Sequence, residues 1–124
     1  MSNNLRIDFS HRKAKGKITV LYFLDNGIHV AFVPSLNLSA YGDSPKEATD
    51  MLFGVVMDDF MSNLTDLGID GATNELKKLG WKSNRFFKKK FEADPFGPYV
   101  DKEGILTNFN LPKETSIDTK VVSI

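Results

Sequence analysis

Residues 17–33, KITVLYFLDNGIHVAFV, constrain the chain most tightly. Ile18, Val20, Tyr22 and Leu24 alternate with their neighbours and so share one face of an extended strand, and β-branched and aromatic residues suit such a pleated surface. Asp25-Asn26-Gly27 follows, and Asn-Gly accepts the positive φ angles of a type I′ turn. The chain must therefore reverse, and Ile28–Val33 returns as a second, antiparallel strand. Pro34 ends it, because proline removes a ladder donor.

After Ser35-Leu36-Asn37, the piece LSAY predicts a short third strand released by Gly42. A helix is expected next, from about Pro45 to Asn63. Ser44 can accept a hydrogen bond from its free N–H groups, Pro45 fits the first helical position, and Glu47 completes a capping box. Ala48, Leu52, Val56, Phe60 and Leu64 recur at steps of four and form the apolar stripe that would lie across the sheet. A second, short helix is expected over 72–79, starting at Gly71 or Ala72. Asp70 would be its cap, Lys77 and Lys78 lie near its negative end, and Gly80 suits its left-handed terminus. Residues 81–91, WKSNRFFKKKF, fit both a helix capped by Ser83 and an irregular strand. Residues 5–9 read as a short opening strand, followed by a basic loop from His11 to Lys17. The run 93–104 is turn-rich, and the closing TKVVSI either returns to a sheet edge or forms a tail.

These elements specify an α+β fold. They give a small antiparallel sheet of three to four strands with a helix packed on one face, a short second helix and an irregular C-terminal region. A chain of 124 residues suits one domain. The domain is expected over 1–91, with its core at 17–64, and 92–124 is expected to be an extension. Cysteine is absent, which excludes disulfides, thiolate zinc sites and cysteine nucleophiles. MSNNLRIDF lacks the apolar core of a signal peptide, and no run approaches the roughly 20 apolar residues of a membrane span. A soluble, cytoplasmic protein is the expectation, with exposed strand edges favouring a homodimer.

Net charge is zero, but it is unevenly distributed. Residues 42–70 carry Asp43, Glu47, Asp50, Asp58, Asp59, Asp66 and Asp70 against Lys46. Residues 73–91 carry seven bases against Glu75. Such blocks point to a charged partner or to pairing within the fold. Catalytic groups are scarce. His11 sits in the basic loop and His29 on the hairpin, without a second His at metal-ligand spacing. Asp58 and Asp59 are helical neighbours and point about 100° apart, so they would not share a metal. No glycine-rich phosphate motif occurs. No catalytic, metal or cofactor site is expected. The helix 72–79, a Gly turn and the basic residues Lys82, Arg85, Lys88, Lys89 and Lys90 match the outline of a helix-turn-helix, and Phe86, Phe87 and Phe91 among them are able to stack on bases.

Taken in order, strand 17–25, an Asn-Gly turn, strand 28–33, Pro34-x-Leu36-x-Leu38 and Gly42-Asp43-Ser44-x-x-Glu47-Ala48 resemble the HicB antitoxin family over residues 17–64. ELKKLGW, residues 75–81, is similar to a segment that follows the helix in stand-alone HicB-like proteins. The resemblance implies a partial ribonuclease-H-like fold in a bacterial toxin–antitoxin pair, without catalysis of its own. The implied partner is HicA, a small basic toxin whose catalytic His is masked. Asp43, Glu47, Asp50 and Asp58 would be the contacts for it. Many HicB proteins add a C-terminal module for operator DNA. Residues 92–124 lack that pattern, so only 72–91 is left for such a role; an orphan scaffold without a toxin is the other outcome.

Overall fold

The hairpin forms where the sequence places it. Asn26 and Gly27 both take positive φ, 53° and 81°, and Asp25 pairs with Ile28 across the turn. The computed structural model describes residues 2–99 and 101–124, so Val100 of the turn-rich run lies outside the described residues. In chain order the elements are β1 (Asn3–Asp8), β2 (Lys13–Asp25), β3 (Ile28–Val33), β4 (Leu38–Gly42) and α1 (Pro45–Met51). A π-helical turn, Leu52–Val56, joins α1 to α2 (Met57–Asp66). Next come α3 (Gly68–Lys78), β5 (Lys82–Ser83), β6 (Lys90–Ala93), α4 (Lys102–Asn108) and β7 (Asp118–Ser123).

Among the described residues the fold is α+β with an antiparallel sheet of seven strands, not three or four. The additional strands arise because β2 starts at Lys13 rather than Lys17. Of the residues read as a basic loop, Lys13 to Lys17 continue the strand and only His11 and Arg12 remain in the turn, so the strand's 13 residues are long enough to pair two neighbours in tandem. Lys17 has a partner in β1 (Asn4) and in β7 (Ser123), while Leu21 and Tyr22 each have one in β3 and in β7. A strand has only two edges, so β1 and β3 share one and β7 takes the other. The sheet forks there into an arm β3–β4 and an arm β1–β6–β5.

Between the two arms, Thr19 has no strand to receive its N–H. The Asn3 side chain fills the gap: Oδ1 accepts from Thr19 N at 3.0 Å, and Nδ2 donates to Thr19 Oγ1 at 2.9 Å. Ser35 Oγ donates to the same Asn3 Oδ1 at 2.8 Å, and Trp81 Nε1 donates to Ser35 O at 2.7 Å. Asn3 is 2% exposed, and Thr19, Ser35 and Trp81 are equally buried. This satisfies the rule that buried polar groups be paired.

One face of the sheet packs Leu5, Ile7, Ile18, Val20, Ala31 and Val33 against the helices. Gly42 makes the close approach of β4 to α1 possible, since a Cβ there would lie 2.5 Å from Ala48 N. Ser44 Oγ caps α1 by accepting from Glu47 N at 3.1 Å. The apolar stripe departs from its expected phase. Met57 N donates to Leu52 O, a step of five, and the extra residue carries Met57 and Met61 into the core while Val56 and Phe60 are left half-buried. α3 also starts earlier than expected. Asp70 lies within its first turn instead of capping it, and Gly80 follows its end with φ 96°.

The opposite face of β2 and β3 is covered by the segment beyond Ala93. Leu21, Phe23, Val30 and Phe32 pack with Ile105, and Phe109 meets Phe23 and Phe32 edge-on at 5.0 and 4.8 Å. Residues 92–124 are thus a structured cover containing α4 and β7 rather than an irregular region, because the odd-numbered apolar residues of β2 need burial as much as the even-numbered ones. No helix among the described residues is long and apolar enough to cross a membrane.

Two outcomes test this reading. Asn3→Ala strands Thr19 N–H and the Ser35 hydroxyl in a dry interior, so a loss of about 2 kcal/mol is expected in urea unfolding. Ending the chain after Ala93 uncovers Leu21, Phe23, Val30 and Phe32. The shortened protein should bind a hydrophobic dye strongly and aggregate, whereas a dispensable tail would leave it monodisperse.

Candidate functional site

Strand periodicity decides what the uncovered part of the sheet presents. On β2 the even positions Ile18 and Val20 enter the helix-side core, so Lys13, Lys15 and Lys17 point to the other face. On β1, Leu5 and Ile7 are buried and Asn4, Arg6 and Asp8 point outward with those lysines; on β6, Phe91 and Ala93 are buried and Lys90 and Glu92 point outward. The C-terminal cover reaches only the β2–β3 half of this face. The arm β1–β6–β5 and the start of β2 remain bare.

Register then sets the charges beside one another. Arg6 pairs with Lys15 on one side and Lys90 on the other, placing three cations in one cross-strand row. Like charges directly opposite one another destabilise a sheet. Among the described residues, none of Arg6, Lys13, Lys15, Lys17 and Lys90 has an ion-pair partner. Beside the row runs a groove of about 610 Å³ lined by Arg6, Asp8, His11, Lys13, Lys15 and Lys89. Asp8 is its one carboxylate. The Ser10 hydroxyl at 2.8 Å, then the His11 ring at 2.7 Å and the His11 backbone N–H, hold that carboxyl below the usual carboxylate range.

Of the two alternatives open for residues 81–91, the structure takes the strand, so the basic residues that resemble the outline of a helix-turn-helix do not form one. After α3 and Gly80 the chain enters the β5–β6 hairpin, so there is no second helix to enter a groove; Trp81 and Phe91 are buried anchors that commit the segment to the sheet. Lys82 and Lys90 lie on the hairpin strands, and Arg85, Lys88 and Lys89 on its connecting loop, all exposed. Asn84 Oδ1 orders that loop by accepting from Phe86 N at 2.8 Å and Phe87 N at 3.0 Å. Lys89 O accepts from Ile7 N at 2.9 Å, which ties the loop to β1. Phe86 is 82% exposed and Phe87 58% exposed, with Lys90 Nζ 4.6 Å from the Phe87 ring centre.

The acidic residues are distributed along the helical layer. Asp43, Glu47 and Asp50 lie together, exposed, around the start of α1. Lys46 Nζ donates to Asp50 Oδ2 at 2.7 Å, which holds the Lys46 ammonium above its ordinary pKa. Asp58 does not join them. It lies about 12 Å further along the helix and lines a cleft with Arg12, Lys13 and Lys15. Arg12 itself bridges to Asp66 at 2.6 Å, so part of the acid–base asymmetry along the chain is consumed within the fold. His29 borders a groove of about 760 Å³ with Tyr22, Thr49, Asp50, Asp118 and Lys120. His11 and His29 thus sit in separate grooves, and among the described residues no three His, Asp or Glu side chains converge at metal-binding distance.

Lys13, Lys15 and Lys17 fall in the stretch that the sequence suggests as a basic loop, and Arg6, although on the expected opening strand, has no sequence signal that sets it beside them. The signal for the lysines was present in KAKGK, whose strict alternation puts all three on one face once the segment is extended. Comparison with protein-family models, curated proteins and solved structures finds no match to this chain.

The crowded cations predict a measurable trade. Replacing Arg6 with Thr keeps a strand former and removes the repulsion with Lys15 and Lys90, so stability should rise by about 0.3 kcal/mol at low salt. The gain should vanish near 1 M salt, where screening is nearly complete. Urea midpoints at the two salt concentrations measure it.

Proposed function

We propose that this chain is a non-catalytic binding protein of the HicB antitoxin type, which masks a small basic ribonuclease partner. One observation carries the reading: the residues of the 17–64 resemblance serve a scaffold. Leu36 and Ala48 are buried, Gly42 admits the helix and Ser44 caps it. The motif thereby accounts for three strands and a helix on one sheet face, and leaves Asp43, Glu47 and Asp50 as an exposed acidic end of that layer. A basic partner docking there would be steered by charge and would cover its own catalytic group sterically. The strands β1, β5 and β6 lie outside the matched segment and extend the sheet from the start of β2, while β7, also outside it, borders the groove that Asp50 lines.

The test is co-expression with any short, basic reading frame adjacent to this one in its genome. Growth arrest by the neighbour alone, its relief by this chain, and a complex on size exclusion are the expected results. Reversing the acids together, Asp43→Lys, Glu47→Lys and Asp50→Lys, should weaken that complex at least tenfold at low salt. Because the changes also remove the Lys46–Asp50 bridge and place cations at the start of α1, the thermal midpoint of the free protein should fall by a few degrees while its circular dichroism stays that of the folded chain. An unchanged affinity would remove the acidic end from the interface, and a neighbour that neither binds nor arrests growth would end the antitoxin reading.

A further inference from the structure

The bare basic face points to a second ligand, independent of any protein partner. We propose that the sheet surface formed by Arg6, Lys13, Lys15, Lys17 and Lys90, with Phe86 and Phe87 at its margin, binds single-stranded nucleic acid.

Side chains on one face of a strand repeat about every 6.7 Å, and neighbouring strands lie about 4.8 Å apart. Lys13, Lys15 and Lys17 therefore form a column of three cations running along β2, and the row Lys15–Arg6–Lys90 crosses it. A column at that spacing is commensurate with the phosphates of an extended strand. The row is unfavourable to the protein by itself, as cations opposed without intervening anions repel; a polyanion laid over it removes that penalty. Binding would release counterions and be strongly salt-dependent.

The two phenylalanines decide between single strand and duplex. Their rings are exposed on a loop held by Asn84, and an exposed ring offers a stacking surface only to a base whose own face is free. In a duplex those faces are stacked, and the bare face presents strands and a loop rather than a helix. A membrane surface would also attract lysines, but two apolar side chains give little to insert, whereas the cations extend across β2, β1 and β6. Asp8, the acid in the groove, is engaged by Ser10 and His11 and so is turned to local bonds. Glu92 shares a cross-strand row with Asn4, Lys17 and Lys82, beside the all-cationic row rather than in it.

The experiment uses the full chain and fluorescein-labelled oligouridylate and oligothymidylate of about 12 nucleotides, within the usual footprint of a sheet-type binder. A mixed-sequence duplex and anionic phosphatidylserine vesicles serve as competing ligands. Anisotropy is followed from about 50 to 200 mM salt. Both single strands are expected to bind more tightly than the duplex, and the ratio between them reports whether the 2′-hydroxyl is read. Lys15→Ala and Arg6→Ala should each lower the magnitude of the salt slope by about 0.7. Phe86→Ala with Phe87→Ala should weaken single-strand binding about tenfold and leave the slope unchanged. All four positions are exposed, so circular dichroism and the melting midpoint should stay close to those of the parent chain. Absence of oligonucleotide binding at 50 mM salt overturns the proposal, as does binding that ignores all four substitutions. A preference for duplex overturns the single-strand assignment, and binding to vesicles alone assigns the face to membranes instead.

Discussion

The architecture depends on one side chain bridging a break in the sheet. β2 is paired by β1 at its start and by β3 at its end, and at the junction its backbone would be left with an unsatisfied donor in a dry interior. Asn3 supplies an acceptor to Thr19 N–H and a donor to the Thr19 hydroxyl, and the same oxygen receives the Ser35 hydroxyl. Trp81 is held onto the Ser35 carbonyl, so the network joins the first strand, the central strand, the β3–β4 connection and the segment after α3. An amide suits this position because it carries both donor and acceptor without charge. A carboxylate would bring a buried charge, and an apolar residue would leave several polar groups unpaired.

From that junction the two arms acquire different surroundings. The β3–β4 arm and the end of β2 are sandwiched, with helices on one face and the aromatic cover of Phe96, Tyr99 and Phe109 on the other. The β1–β6–β5 arm is packed on its helix side alone, through Leu5, Ile7, Phe91 and Trp81, and shows solvent an array of lysines and arginine. The exposed acids Asp43, Glu47 and Asp50 at the start of α1 and the cationic row Lys15–Arg6–Lys90 thus lie on different faces of one small molecule. Such a charge division permits two oppositely charged partners to be held without competing for the same surface.

The helical layer shows how packing overrides periodicity. Steps of four from Ala48 predict Val56 and Phe60 as buried, yet the π turn hands those places to Met57 and Met61. Methionine is unbranched and adapts to irregular space, which suits a surface where the sheet beneath is forked rather than uniform. The exposed Gly54 and Val55 occupy the outer side of the π turn.

What the sequence determined by itself was local. The hairpin at Asn26-Gly27, the stop at Pro34, the third strand and the capped start of α1 each follow from a few adjacent residues, since turn angles, proline's missing donor and helix caps act over one turn or less. The acidic cluster at the start of α1 was legible for the same reason, as Asp43, Glu47 and Asp50 lie within eight consecutive residues around one helix start. The basic face was not. Lys15, Arg6 and Lys90 are distant in sequence and become neighbours only through strand register, which depends on which residues the core accepts. Nor does any local signal tell that residues beyond Ala93 cover one half of a sheet face and leave the other bare. That choice belongs to tertiary structure, because the burial of Phe23 and Phe32 requires partners that local sequence does not contain.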